Sequence, residues 1–376
     1  MARSLPVKWF DDTVMAGAPE LNATAGSLIA VLDACLIDGF NVKTVQNFVI
    51  AGGIGTITFP SSGHGYVLHQ VAALAGATDD QYNGDWRVTE VNATNIKVDA
   101  TGVANATVAG TLSCTTPPLG GWVKAFYGTN LAAYKSTVAD SSGLYLRVYD
   151  PAGRAADVRG YEAMTDINTG AGLFPTIAQK STYRASKSQD GVNLSRWTLV
   201  GDKQFFYLSQ HDNQTNITSS PNSRDCLAFG DILSFRPNDA YHCLISSGYS
   251  QQAAIVSEGD YSYLARAHTQ LGSALSVSIT SSLGFGQISG SVSLPQRYPN
   301  GPDNSLILSD ARYIVDGNYA ATSIRGKLPG FFECLQGGVP SSGTIFADAL
   351  GTGKHVMLIG ASPIYRFALD ITGPWR

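Results

Sequence analysis

R-W-T-L-V-G-D-K-Q-F-F-Y-L, residues 196–208, decides the fold class. Two β-prone, aromatic-rich runs flank the turn pair Gly201-Asp202, so the stretch reads as a hairpin. Successive side chains of a strand point to opposite faces. Phe205, Phe206 and Tyr207 are consecutive, which puts a ring on each face of the second strand. Such a strand is covered on both sides, inside a sandwich or at a contact with another subunit. The same pattern continues outward. Residues 143–149 (G-L-Y-L-R-V-Y), 227–235, 242–245, 274–279, 306–308, 322–324 and 356–359 are short strand candidates, and 365–372 (Y-R-F-A-L-D-I-T) alternates cleanly. The polar, Gly/Ser/Asn-rich stretches 166–189 and 212–224 read as long loops, of the kind that contacts something or carries function.

Toward the N-terminus, residues 45–114 break into short β-prone runs separated by Gly-Gly, Ser-Ser-Gly, Tyr-Asn-Gly and Thr-Gly. The run W-R-V-T-E-V from Trp86 alternates with period two, and Asn83-Gly84 is a tight-turn pair. Together they predict a small barrel or sandwich, with P-P-L-G-G at 117–121 as its boundary. Before it, Leu28, Val31, Leu32, Cys35 and Leu36 share one face of a helix over 24–36, with Thr24 or Ser27 as its cap. Residues 9–21 read as an extended segment able to pack along the body or reach a neighbour. The expected architecture is therefore mainly β. It comprises an N-terminal segment and helix over 1–44 as a possible anchor, a small all-β module over 45–116, and a larger β-sandwich-like domain with long loops over 117–376.

Composition narrows the function. Of 376 residues, 44% are hydrophobic and 14% charged, against roughly 25% charged in ordinary soluble domains. A surface rich in small polar groups suits packing against neighbours. The net charge of −4, without a basic tail or stripe, argues against direct nucleic-acid binding. No run approaches the roughly 18 apolar residues of a membrane span, and the first ten residues lack the pattern of a signal peptide. Cys35, Cys114, Cys226, Cys243 and Cys334 are odd in number without CxxC spacing, so buried free thiols are expected. Cys226 and Cys243 flank a hairpin, and the sequence does not say whether they are bonded.

Catalytic signatures are missing. There is no G-x-S-x-G elbow, H-E-x-x-H helix or phosphate loop. His64 and His69 read as turn histidines. Asp225 with Asp231, or Asp231 with Asp239, are the carboxylate pairs that could face one groove, whereas the adjacent Asp11-Asp12 and Asp79-Asp80 would diverge. No catalytic residue, cofactor or metal is expected. The candidate contact residues are Trp9, Phe10 and Leu21 of the N-terminal segment, Phe205, Phe206 and Tyr207 of the ring-lined strand, and Tyr241 and Tyr249. The last two cluster with Tyr261 and Tyr263 in a loop-rich region that could bind sugar, contact a subunit or cover the core.

Several motifs, spread over nearly the whole chain, resemble virion structural proteins of tailed bacteriophages and related prophages. They are V-K-W-F-D at 7–11 with G-A-P at 17–19, G-S-L-I-A-V-L-D-A-C-L-I-D-G-F at 26–40, and H-G at 64–65 with A-G-A at 75–77 and Y-N-G-D-W-R-V at 82–88. F-Y-G-T-N at 126–130, R-G-Y-E-A-M at 159–164, R-W-T-L-V-G-D at 196–202 and F-G-D-I-L-S-F-R-P-N-D at 229–239 complete the set. The H-G…Y-N-G pattern is similar to a small β-module found in many phage proteins. The resemblance implies a non-enzymatic virion component, made in the bacterial cytoplasm and built into the tail at its tip, baseplate or collar in preference to the capsid surface. It implies other virion proteins and further copies of the chain as partners. The alternatives are host-receptor binding by loops 166–189 or 212–249, capsid decoration, and degradation of a surface polysaccharide.

Overall fold

The computed structural model describes residues 3–188, 191, 194–211, 223–248, 261–281, 297–310, 312–316, 324–362 and 365–376. The hairpin forms as Arg196–Gly201 and Phe205–His211, antiparallel, with Gly201 opposite Phe206. It belongs to a ten-stranded sheet whose order is Lys8–Asp11, Arg196–Gly201, Phe205–His211, Ser223–Asp231, Cys243–Ser246, Ser262–Leu264, Leu275–Ser281, Arg312–Asp316, Ile324–Lys327 and Leu233–Ser234. Only Ile232 separates the fourth strand of this order from the last. The sheet must therefore curl round until its far edge returns beside Ser223–Asp231.

The three consecutive rings show why this strand is covered on both faces. Phe206 points toward a six-stranded sheet, its ring centre 5.6 Å from that of Trp122. Phe205 and Tyr207 point the other way, with their ring centres 4.8 Å apart. Tyr207 meets Phe331 and Trp375 of the C-terminal region and donates its hydroxyl hydrogen to the Pro329 carbonyl. The hairpin thus sits between two other layers. The C-terminal layer is a five-stranded sheet of Leu308–Ser309, Phe331–Cys334, Tyr365–Asp370, Val356–Ser362 and Ile345–Phe346.

The six-stranded sheet runs Trp122–Gly128, Leu131–Ser136, Tyr145–Tyr149, Ala155–Met164 and Gly170–Phe174, with Arg184–Ser186 also on Ala155–Met164. Its last two strands lie inside 166–189, which the sequence presented as a loop. Their residues are weak β-formers, and the pairing is set by packing. Gly160 lies opposite Phe174, and a Cβ at Gly160 would stand 2.2 Å from the Phe174 ring. The ring therefore occupies space that only glycine leaves open.

Residues 40–116 supply every strand of an eight-stranded sheet with its own core, in which Phe48 meets Trp86 edge-on at 5.2 Å. Asn83-Gly84 does not form a two-residue hairpin. Residues 78–83 make the connection, including the turn Asp80–Tyr82. Gly84 (φ +100°) answers a close approach, since a Cβ there would lie 2.2 Å from the Arg3 carbonyl oxygen. Arg87 joins three regions by donating to the carbonyls of Val7, His69 and Ile371.

The helix is shorter than its apolar stripe, spanning Ser27–Asp33 and continuing as a wider π turn over Ala34–Asp38. Neither Thr24 nor Ser27 caps it. The carboxylate of Asp150 accepts from the amides of Leu28 and Ile29 at 2.8 and 3.1 Å, a cap supplied from another strand. Lys187 in turn donates to Asp150, Thr24 and Pro151, and both charged side chains are fully buried.

The N-terminal segment is part of the body. Lys8–Asp11 pairs with Arg196–Gly201, and the Ser195 amide donates to Leu21. Asp12 follows, accepting from the Trp197 amide and lying 3.4 Å from Arg196. Burial, with Asp11 adding to it, pushes the Asp12 carboxyl up to about 6 against those two contacts. A raised folded-state pKa means that the native protein binds this proton more tightly than the unfolded chain. Stability then falls as pH rises from about 4 to about 6. Asp12→Asn keeps an acceptor for Trp197 and removes the titration. The variant should gain on the wild type across that window and hold a lead of about 1–3 kcal/mol at pH 7, read from urea unfolding at each pH. A constant difference from pH 4 to 7 would contradict this.

Candidate functional site

The proposed contact residues fall mostly inside the chain. Trp9, Phe10, Leu21, Phe205, Phe206 and Tyr207 are all buried. Trp9 donates its indole hydrogen to the His69 carbonyl, and Phe10 packs on Phe40. These six side chains are spent on the fold, and a partner cannot reach them without unfolding part of it. Tyr241 is half-buried, with the Arg266 guanidinium 4.9 Å above its ring. Tyr249 lies outside the described residues. Tyr263 is buried in strand Ser262–Leu264.

The carboxylates are also committed. Asp225 and Asp231 lie on one strand six residues apart, roughly 20 Å along an extended chain, beyond the roughly 5–9.5 Å of a glycosidase pair. A cleft of about 660 Å³ is lined by residues including Asp140, Ser142, Ile232, Ser234, Arg236, Asn238, Asp239 and His242, and Asp231 lies buried behind that lining. There Asp231 accepts from the amide and hydroxyl of Ser142, and His242 Nε2 lies 3.7 Å away. In this order the carboxylate separates serine from histidine, so the imidazole is not placed to deprotonate Ser142. Asp239 accepts from Arg325 Nε and from its second terminal nitrogen at 2.6 and 2.8 Å. Burial works against charge on Asp239, yet Arg325 prevails and holds the carboxyl below its usual range. Asp231 clamps residues 139–142 to strand Ser223–Asp231, and Asp239 clamps its own turn to strand Ile324–Lys327.

His64 is buried, and His69, His242, His268 and His355 are half-buried. His64 stacks on Phe59, takes the Tyr66 amide hydrogen at Nδ1 and bonds the Asn92 carbonyl through Nε2. His69 faces His355 with ring centres 4.5 Å apart, and burial, aided by His355 and Arg87, pulls it down to about 4. Among the described residues no group of three or more His, Cys, Asp or Glu could hold a metal ion.

All five cysteines are buried and free. Cys243 lies opposite Asp231, five residues along the partner strand from Cys226, or roughly 16 Å, whereas a disulfide needs Cα atoms within about 7 Å. Burial raises the thiol of Cys114 to about 12 and that of Cys35 well above its ordinary value. An aromatic disulfide reagent should therefore titrate no thiol quickly in the native protein and five after denaturation without reductant. Three thiols on denaturation would reveal a bond.

What sequence reasoning missed is the outer face of the six-stranded sheet. Register places Val123, Lys135, Tyr145, Tyr161 and Leu173 in one row across five strands. Phe126, Ala133, Arg147 and Arg159 form the next row, in which Ala133 is buried and Arg159 is covered by the carbonyls of Pro175, Lys180 and Ser181, and Leu131, Tyr149 and Asp157 a third. The opposite face, with Tyr134, Leu146, Val148 and Phe174, lies in the main core. The outer rings are half-buried or, at Tyr149, 43% exposed. Alternation of Tyr145, Arg147 and Tyr149 in the sequence was the available signal.

No helix among the described residues is long and apolar enough to cross a membrane. No family model matches the sequence, and no curated protein matches it. Among solved structures, the endosialidase of phage phi92 aligns with 89% of this chain and 52% of its own at 12% identity, with a TM-score of 0.17. The chain thus spans about half the length of that phage protein, and a likeness this weak carries neither fold nor activity across.

Proposed function

We propose that the chain is a non-enzymatic structural subunit of a tailed-phage virion, placed in the tail at its tip, baseplate or collar. The observation that carries this reading is where the resembling motifs lie in the fold. V-K-W-F-D supplies the edge strand that joins the ten-stranded sheet. Y-N-G-D-W-R-V holds Gly84, Asp85 and Arg87, which bind the β-module to Arg3, Lys8, Val7 and Ile371. F-G-D-I-L-S-F-R-P-N-D turns the sheet back on itself and clamps Asp231 and Asp239. Motifs concentrated at joints support a part whose task is to keep its shape. Low charge suits burial against neighbouring copies and other virion proteins.

Gold-labelled antibodies against the purified protein, applied to particles of the phage or prophage encoding it, test the reading. Label at the tail is the expected result. Particles without the protein, or label over the capsid, would overturn it.

A further inference from the structure

We propose that the outer face of the six-stranded sheet binds a carboxylated polysaccharide, an inference independent of the virion reading. Two features point to a ligand with both ring faces and negative charge. The first is the aromatic platform. Phe126 and Tyr145 lie nearly parallel, with ring centres 6.0 Å apart and planes 25° from each other. Tyr161 is opposite Tyr145 on the next strand, and Tyr149 stands beside them on the same face. Such rings offer apolar surface to the CH faces of sugars and hydroxyls to their polar edges.

The second feature is cationic. Lys135 Nζ sits 4.9 Å over the Tyr145 ring and 3.5 Å from its hydroxyl. Arg147 donates through Nε to the Ile167 carbonyl and through one terminal nitrogen to Asn168. Among the described residues neither cation has a carboxylate partner. Both are half-buried on a face where a carboxylate would be partly shielded from water, which strengthens a charged hydrogen bond.

Size separates a glycan from a second protein. The face spans roughly 19 Å across its strands and roughly 13 Å along them. That area of roughly 250 Å² falls well short of the roughly 800 Å² per partner of a stable protein interface. A linear acidic polymer lying across the strands needs no wider contact, and it meets the row from Val123 to Leu173 end to end.

Affinity electrophoresis of the full chain at physiological ionic strength tests the proposal, with polygalacturonate, hyaluronate, dextran or polyglutamate cast in the gel. At least one carboxylated glycan should retard the protein, while dextran and polyglutamate should not. Lys135→Gln should weaken the retardation at least fivefold, and Tyr145→Ala should abolish it. Thermal unfolding identifies any variant that has lost the fold, and Lys135→Gln removes a half-buried charge that rests on Tyr145. Retardation by neither acidic glycan would overturn the proposal. So would equal retardation by polyglutamate, which would mark an acidic-peptide site, or full retention in Lys135→Gln.

Discussion

Deleting residues 1–21 should leave a chain that does not reach the native state. The deletion removes the strand Lys8–Asp11 from the edge of the ten-stranded sheet and takes Val7, Trp9, Phe10, Met15 and Leu21 out of the core. Burial of side chains this large contributes about 1.5–3 kcal/mol each, and their sum rivals the roughly 5–15 kcal/mol by which a whole domain is stable. The deletion also exposes Leu199, Val200 and Trp197 along a newly opened edge. Insoluble expression, or a soluble product without near-ultraviolet dichroism and a cooperative melt, is expected. A truncated protein melting within a few degrees of the full chain would show that the segment is an appendage.

The second large effect is expected at Lys187. Replacing it with methionine leaves the buried Asp150 carboxylate without its cationic partner, and strips the Thr24 and Pro151 carbonyls of their donor. Breaking a buried ion pair from one side costs about 3–5 kcal/mol. Lys187→Met should lower the free energy of guanidinium unfolding by about that amount. Combining it with Asp150→Asn should recover part of the loss, because no uncompensated charge then remains, although the helix start keeps a weaker cap. The double-mutant cycle isolates the coupling. A loss below about 1 kcal/mol for Lys187→Met would mean that water reaches the pair.

The hairpin at 196–208 was legible because its signals are local: a turn pair, β-prone flanks and rings on both faces. The internal alternation of the 45–116 module was legible for the same reason. What escaped depends on partners distant in sequence. Lys8–Asp11 becomes a strand because Arg196–Gly201 accepts it. Gly170–Phe174 becomes one because Gly160 leaves room for Phe174. The helix begins at Ser27 because Asp150, more than a hundred residues later, caps it. Six of the eight candidate contacts, Trp9, Phe10, Leu21, Phe205, Phe206 and Tyr207, turn out to be buried within the chain for a similar reason. The rings at 205–207 were read as covered on both faces, but the sequence does not say whether the cover is the same chain or another, and for Trp9 and Phe10 it left packing on the body and reach to a neighbour equally open; all five are buried within the chain. On the outer sheet face, alternation revealed two sides of strand Tyr145–Tyr149 without telling which was wet.

The pairing of Lys8–Asp11 with Arg196–Gly201 also sets an order of events during synthesis. A strand near the start of the chain waits for a partner nearly two hundred residues downstream, and curling of the sheet awaits Ile324–Lys327. Residues 40–116, whose strands pair among themselves, can condense on the ribosome while the N-terminal segment stays unpaired. Such distant contacts make the final step slow. The nascent chain therefore carries an exposed, ring-bearing strand until Arg196–Gly201 has been made, and chaperone binding at Lys8–Asp11 would meet its need during that interval.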